Sequence, residues 1–125
     1  MRLGDAAETS RTISAEDVSE YAALAQQANV DDRVPEPLIG ALFSYLLGVR
    51  LPGQGANYLK QETRFHRVAH VGETLTARVE ITRIRPEKHL VDLSTTCKDQ
   101  DGQLIASGRA LVSARDVAAE LETHD

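Results

Sequence analysis

The sequence predicts an α+β domain in which an antiparallel sheet curls around one buried central helix. The first observation is the segment 37–49, Pro-Leu-Ile-Gly-Ala-Leu-Phe-Ser-Tyr-Leu-Leu-Gly-Val, in which Ser44 is the one clearly polar side chain. A helix with no polar face must be buried on all sides, and this one is too short, with Arg50 directly after it, to cross a bilayer. The second observation is that the segments after it alternate apolar and polar residues, which is typical of half-buried antiparallel strands.

The chain before the central helix contains one predicted strand and one predicted helix. Residues 8–13 are a short strand candidate. Ser14 follows, with Asp17 three residues further on. This is the spacing of a capping box, so a helix is expected over residues 15–28.

The central helix is bounded by residues that restrict the backbone. Pro35 and Pro37 limit the loop before it, and proline is favoured in the first turn of a helix. Gly48 is expected to end the helix, because glycine readily adopts the conformation that terminates helices. The backbone N–H groups at the beginning of the helix lack partners within it, so they are expected to point at whatever the protein binds.

Four longer strands are predicted after the central helix. They cover residues 57–68, 74–85, 89–99 and 103–114. Pro-Glu-Lys at 86–88 and Asp101-Gly102 mark two of the turns, the second being a strong hairpin signal. In the last strand Ala106, Gly108 and Ala110 place small residues on one face, which indicates that a helix packs closely there.

Composition bounds the class of protein. A chain of 125 residues is expected to form a single domain over 1–125, with a polar C-terminal tail at 116–125. The exposed edges of its sheet favour a dimer joined through the sheet. No apolar signal-peptide core follows Met1, so a cytoplasmic location is expected.

Charge and cysteine usage exclude several partners. The net charge of −5 argues against a nucleic acid or a membrane as partner. Cations in the central strands still leave room for a local phosphate site: Lys60, Arg64, Arg67, Arg78, Arg83 and Arg85. The single Cys97 excludes an internal disulfide, and together with the scattered histidines it argues against a metal site.

Three parts of the chain together resemble one known family. Residues 16–18 and 21–24, Glu-Asp-Val and Tyr-Ala-Ala-Leu, are similar to its opening helix. Leu-Phe-Ser at 42–44, Leu-Leu-Gly at 46–48 and Leu-Pro-Gly at 51–53 are similar to its central helix and exit. Gln61, Arg64-Phe65, Val-Gly-Glu-Thr-Leu at 71–75 and Asp101-Gly102 are similar to its strands. The family is that of the MaoC-like (R)-specific enoyl-CoA hydratases, which have the hotdog fold.

The resemblance implies a single hotdog domain that binds an acyl-CoA or acyl-carrier thioester, with CoA as part of the substrate and no separate cofactor. It also implies a homodimer or a higher hotdog oligomer, or pairing with a catalytic hotdog partner. The family's Asp-x-Asn-Pro-x-His signature is altered here to Gln-Ala-Asn-Val-Asp-Asp at 27–32, which keeps Asn29 as a candidate for substrate binding. Pro-Glu-Pro at 35–37 stands where the family has a His-Gly pair, so its usual acid–base residues are not implied for this chain.

Hydration of an enoyl thioester needs a base, an acid and donors for the thioester oxygen. The backbone N–H groups near Leu38, Ile39 and Gly40 are candidate donors. The candidate acid–base groups are Asp31, Asp32 and Glu36. The alternative interpretation is that the two aspartates are solvated loop residues. For the glutamate, the alternative is that its carboxylate complements the helix dipole.

Two strand residues complete the candidate site. Gln61 is a candidate for contact with the pantetheine arm, and Arg64 for contact with the CoA phosphates. The alternative for Gln61 is a cross-strand polar pair on an exposed face, and the alternative for Arg64 is an ordinary surface charge.

Three functions stay open at this point. The first is an acyl-thioester hydratase or dehydratase with a non-standard site. The second is a hotdog thioesterase that uses Asp32 or Glu36 as nucleophile or base. The third is a non-catalytic hotdog subunit or acyl-CoA binder.

Overall fold

The computed structural model of the chain describes residues 1–24, 32–53 and 56–114. The helices are α1 (Ala15–Leu24) and α2 (Glu36–Tyr45), and α2 runs into a π-helical turn at Leu46–Arg50. The strands are β1 (Ala6–Thr12), β2 (Ala56–Phe65), β3 (Thr74–Arg85), β4 (Leu90–Lys98) and β5 (Leu104–Ala114). This arrangement confirms the predicted α+β class and hotdog-type architecture.

The five strands form one antiparallel sheet in the order β1-β3-β4-β5-β2. Strands β3, β4 and β5 are a meander, and the two strands that precede them in sequence close its two sides. The predicted alternation is confirmed in β3, where every second side chain is fully buried: Leu75, Ala77, Val79 and Ile81. One face of the sheet is therefore the floor of the core.

Helix α2 lies on that floor, as predicted, and the two prolines begin it. Pro35 has φ −60° and ψ 138° and precedes the first helical residue, while Pro37 lies in the first turn. Ile39 and Phe43 are 1% and 0% exposed and enter the core. The expectation of burial on every side does not hold for the single chain, because Tyr45 is 47% exposed. A single sheet contacts a helix from one side, so the opposite side stays uncovered.

The prediction that Gly48 ends the helix is wrong. Gly48 lies inside the π-helical turn, whose closing bond runs from the Leu51 N–H to the Leu46 carbonyl at 2.8 Å. Leu46 and Leu47 are both buried although they are neighbours in sequence. The wider turn brings both into the core, so the helix continues past the glycine.

Gly108 is required for a different reason than predicted. A Cβ added there would lie 1.9 Å from the carbonyl oxygen of Glu62 in β2. The close neighbour is thus the backbone of the paired strand, not a helix. Ala106 and Ala110 on the same face are buried, as expected for the core side of β5.

Strand and helix ends differ from the predicted ones by a few residues. β3 has the predicted bounds, but β4 begins at Leu90 because His89 has φ +55° and cannot continue a strand. Residues 25–28 of the predicted first helix and the tail at 116–125 lie outside the described residues. Neither α1 nor α2 is long and apolar enough to cross a membrane, and this holds for every helix in the described ranges.

Candidate functional site

The beginning of α2 is the first component of the candidate site. Glu36 is the first helical residue and is exposed, so its carboxylate lies in the first turn, where it complements the helix dipole. The Leu38 N–H donates to the Pro35 carbonyl at 3.0 Å and is therefore already engaged.

The three residues predicted to offer N–H groups have different surroundings. Ile39 carries its side chain into the core, whereas Leu38 is half-buried at the surface. Gly40 has open space where a Cβ would be, so a ligand can approach its backbone closely. It lies one full turn into the helix, however, where N–H groups have intrahelical partners. Ile39 is the fourth helical residue after the N-cap Pro35, so its N–H also has an intrahelical acceptor. The beginning of α2 therefore offers a ligand the positive end of the helix dipole rather than these three N–H groups.

Asp32 and His70 form the second component. The His70 ring Nδ1 lies 3.3 Å from Asp32 Oδ1. Since a carboxylate can only accept, Nδ1 is the donor, and Nε2 is left as the second ring nitrogen. Both side chains are largely exposed, at 47% and 71%. The pair is thus an imidazole–carboxylate couple open to solvent and to a ligand.

Backbone bonds hold this pair in place. Residues 32–34 run antiparallel to residues 69–71, through a bridge between Arg33 and His70. The Val71 N–H donates to the Asp32 carbonyl at 2.7 Å, and the Val34 N–H donates to the Ala69 carbonyl at 2.8 Å. Asp32 and His70 therefore belong to two backbone segments that are hydrogen-bonded to each other, and the segment of Asp32 leads directly into α2.

A network of charged residues supports the loop that carries His70. The His70 N–H donates to Glu73 Oε1 at 2.8 Å, and Arg67 donates to Glu73 Oε2 at 2.6 Å. Arg67 also donates to Asp99, whose side chain is 2% exposed. The guanidinium holds the pKa values of Glu73 and Asp99 below their usual range. The loop is consequently rigidly anchored on its far side.

A groove of about 450 Å³ lies between α1, α2 and β1. Its apolar lining comes from Ile13, Tyr21, Leu24, Leu38, Ala41, Leu42 and Tyr45. Its polar lining comes from Thr9, Ser10, Arg11, Asp17 and Glu20.

The groove follows the uncovered side of α2 from the first turn to the last. Leu38 and Tyr45, at the two ends of this lining, are about 10 Å apart along the helix axis. Ile13 lines the groove and bonds through its backbone to Gly72 and Glu73. The loop that carries His70 is therefore hydrogen-bonded to a residue of the groove lining, although none of its own residues lines the groove.

Gln61 and Arg64 are not brought together. Both lie on β2, opposite Ala110 and Ser107 of β5, so they point to opposite faces of the sheet. Gln61 shares the core-side face with the partly buried Phe65, while Arg64 lies on the outer face. Both are exposed on this strand, which lies at one side of the sheet.

The expected basic patch is divided among ion pairs. Arg67 bonds to Glu73 and Asp99, and the other pairs are Lys60 with Glu62, Arg78 with Glu8 and Glu80, and Arg85 with Asp92. Four of the six cations thus have carboxylate partners, which weakens the surface as a phosphate site.

Two further predictions concern the site's composition. Cys97 is buried as predicted, and burial raises the pKa of its thiol to about 11, so it is a core residue. No group of three or more potential metal ligands occurs within residues 1–24, 32–53 and 56–114. Asn29 and Asp31 lie outside the described residues, so their predicted roles have no structural account.

Sequence reasoning missed His70 and the groove. His70 is 38 residues from Asp32, and no local pattern links them. The groove arises because α2 is covered on one side only, which its uniformly apolar sequence concealed. The Val-Gly-Glu segment after His70 resembles a strand pattern of the family and does not itself point to the histidine.

Known proteins give a consistent comparison. No protein-family profile matches the chain. An (R)-specific enoyl-CoA hydratase of Aeromonas caviae is 33% identical over 126 aligned residues, which cover 90% of this chain and 94% of the relative. A second (R)-specific enoyl-CoA hydratase, of Rhodospirillum rubrum, is also 33% identical and covers 90% of this chain and 87% of its own.

Solved structures agree with these relatives. The (R)-hydratase from A. caviae involved in PHA biosynthesis superposes with a TM-score of 0.87 at 33% identity, over 92% of this chain and 98% of that one. The ChsH1-ChsH2 complex from Mycobacterium tuberculosis has a TM-score of 0.73 at 14% identity, over 91% and 98% of the two chains. The second likeness extends to the fold alone.

Proposed function

Because the chain belongs to the family of (R)-specific enoyl-CoA hydratases, we propose that it adds water to the double bond of an enoyl thioester, or removes it from a 3-hydroxyacyl thioester. The observation that carries the proposal is 33% identity across 90% of the chain, which extends far beyond a shared fold. Its sequence and fold are hydratase-like from β1 to β5.

The groove supports an acyl thioester as the ligand. Most of its lining residues are apolar or aromatic, as an acyl chain requires, and Leu38 in this lining belongs to the first turn of α2. An acyl chain lying along α2 would place its thioester carbonyl near the positive end of the helix, where negative charge on the oxygen is stabilised. CoA enters as part of the substrate, and the chemistry asks for no separate cofactor.

The carboxylate candidates for the acid–base site lie in the first turn of α2 and in the segment before it. Asp32 and Glu36 are exposed and flank Pro35, and Asp31 is the third candidate. Asn29, Gln61 and Arg64 are proposed to contact the substrate rather than to exchange protons. Of the two strand residues, Gln61 is better placed than Arg64, because it lies on the core-side face of the sheet.

A second hotdog chain is the proposed protein partner. Strand β2 lies at one side of the sheet and exposes Tyr58 and Leu59, and the uncovered side of α2 exposes Tyr45 and Val49. An open strand and adjacent apolar side chains suit pairing with a like domain, either a copy of this chain or a catalytic hotdog subunit. Light scattering on the purified chain measures which state it adopts. The expected cytoplasmic location stays a prediction.

The test combines two assays on the pure protein. Loss of crotonyl-CoA absorbance, with chromatographic detection of 3-hydroxybutyryl-CoA, reports hydration. Release of free CoA thiol reports thioester hydrolysis. Hydration supports the proposal, thiol release alone assigns a thioesterase, and acyl-CoA binding without either assigns a non-catalytic subunit.

Matched variants test whether the groove holds the acyl chain. Ala41 lines the groove, and Ser44 is exposed on the same helix outside it. We expect Ala41→Trp to raise KM at least tenfold for a long-chain enoyl-CoA, whereas Ser44→Trp leaves it within twofold. Equal effects of the two substitutions would contradict the groove as the acyl site.

A further inference from the structure

We infer that His70 and Asp32 are the acid–base pair of this chain, with the imidazole exchanging protons with the substrate and the carboxylate positioning it. The inference rests on the proposed hydration and adds to it a residue, His70, from the loop between β2 and β3. It starts from the contact itself, Nδ1 to Oδ1 at 3.3 Å.

The geometry of the pair suits this role. A carboxylate that accepts from Nδ1–H fixes the ring tautomer and leaves Nε2 as the basic nitrogen. The two backbone segments are joined by the hydrogen bonds from the Val71 N–H to the Asp32 carbonyl and from the Val34 N–H to the Ala69 carbonyl. Backbone hydrogen bonds thus hold the two residues next to each other. Their side chains are not needed to bring the segments together.

The location also suits it. Asp32 is four residues from Glu36, so the two lie within about 14 Å even for a fully extended chain. The loop of His70 bonds to Ile13, which lines the groove. Asp32 thus lies on the segment that leads into α2, and His70 on a loop bonded to a groove-lining residue; that the pair acts at the thioester end of the groove is part of the inference.

The charged groups around His70 are known from the packing. Asp32 faces it from the segment before α2, and Glu73 accepts from its backbone N–H within the same loop. Arg67 is engaged by Glu73 and Asp99. Arg33 is paired with His70 in the backbone bridge and is the cation of the facing segment, and Asp32 is the charged group that hydrogen-bonds to the ring.

The proposed step balances without an added reactant. Nε2 takes one proton from water while the water oxygen bonds to the β-carbon and the π electrons move onto the thioester as an enolate. The imidazolium, stabilised by Asp32, then returns that proton to the α-carbon as the enolate collapses. One water is consumed, and the protein ends in its starting protonation state.

The experiment compares His70→Gln and Asp32→Asn with His66→Gln as control. His66 is an exposed histidine whose Nε2 lies 2.7 Å from Ser107 Oγ on β5 and which therefore has a different partner from His70. We expect His70→Gln to lower kcat/KM for crotonyl-CoA hydration about 10²–10⁴-fold. His66→Gln is expected to stay within twofold, with all three variants folded by circular dichroism.

The pH profile separates positioning from structure. In the parent chain kcat/KM is expected to rise with pH as the imidazole loses its proton. Asp32→Asn removes the charge that stabilises the imidazolium, so the rising limb should move to lower pH, and Asp32→Glu should restore it in part. NMR titration of the His70 ring follows the same shift without any substrate.

The outcomes distinguish the two proposals. If the parent chain hydrates crotonyl-CoA but His70→Gln retains more than half of its activity, the pair is not catalytic and the hydratase function stands. A parent chain that binds acyl-CoA without hydrating it overturns both. An unmoved pH limb and an unmoved His70 titration in Asp32→Asn overturn the positioning role of the carboxylate.

Discussion

The guanidinium of Arg67 donates to the buried carboxylate of Asp99 and so ties the loop after β2 to the turn between β4 and β5. The same guanidinium holds Glu73, while Asp99 also accepts from the backbone N–H groups of Asp101 and Gln103, both at 2.9 Å. One arginine thus joins two connections that are distant in sequence. The loop it anchors is the one that carries His70.

Stability is expected to fall in acid because of this network. The pKa values of Glu73 and Asp99 are lowered from 4.5 and 3.8, chiefly by hydrogen bonds from Arg67. In acid the unfolded chain therefore takes up protons before the folded chain does. The stabilisation is present above about pH 5 and is lost as pH falls through and below these values. Urea unfolding at pH 7, 5 and 3 measures it.

Arg67→Gln is the matched variant for that prediction. Without the guanidinium the two carboxylates titrate closer to their ordinary values, so the variant should be less stable at pH 7 and its stability should change less with pH. Arg83→Gln, on an exposed residue of β3, serves as control. If the free energy of unfolding of Arg67→Gln changes with pH as steeply as that of the parent chain, the loss of stability in acid is due to other carboxylates.

Gly108→Ala is expected to destabilise the sheet. Its Cβ would lie 1.9 Å from the Glu62 carbonyl oxygen, and only a shift of the β2 backbone can relieve the clash. Overpacking costs typically 1–3 kcal/mol, and we expect about 3 kcal/mol here because backbone must move. Gly40→Ala is the comparison, since open space surrounds that position and alanine favours a helix by about 0.5–1 kcal/mol. Thermal unfolding should move in opposite directions for the two.

The two faces of α2 should respond unequally to truncation. Phe43 is fully buried, so Phe43→Ala is expected to cost about 3–5 kcal/mol in the free energy of unfolding. Tyr45 is about half-exposed, and Tyr45→Ala is expected to cost about 1 kcal/mol or less in the isolated chain. Denaturant unfolding at low protein concentration makes the comparison. A larger cost for Tyr45→Ala at high concentration would report a partner on that face.

Cys97 is expected to resist thiol reagents in the folded protein. Burial, together with the charge of Asp99, raises the pKa of the thiol to about 11, so little thiolate exists at pH 8. A disulfide reagent should therefore modify Cys97 only as fast as the protein unfolds, and completely in urea. Rapid modification of the native chain would show that the core opens there. The chain has a single cysteine, so the signal is unambiguous.

Local patterns predicted most of the fold. The alternation of β3 gave both of its ends, and the Ser14 capping box is confirmed by two reciprocal bonds with Asp17, at 2.9 and 3.1 Å. These features depend on residues that are close in sequence, so periodicity and spacing predict them. The apolar run of α2 predicted a helix against the sheet for the same reason.

Features that depend on distant segments could not be predicted. Asp32 meets His70 through backbone pairing across 38 residues, and Gly108 is constrained by the carbonyl of Glu62 on another strand. Gly48 failed as a stop because two neighbouring leucines, Leu46 and Leu47, both enter the core. In each case tertiary packing decided the outcome.

The sheet order has a consequence for how the chain is made on the ribosome. Strand β1 has no partner until β3 is synthesised, since Thr12 pairs with Thr74, and β2 waits for β5. While the nascent chain emerges, the apolar side of α2 stays uncovered until the strands that it packs against have been made. The meander β3-β4-β5 is the earliest part that can assemble from neighbouring segments. During synthesis β1 therefore pairs only after residues 74–80 have been made, and β2 only after residues 106–114 have been made.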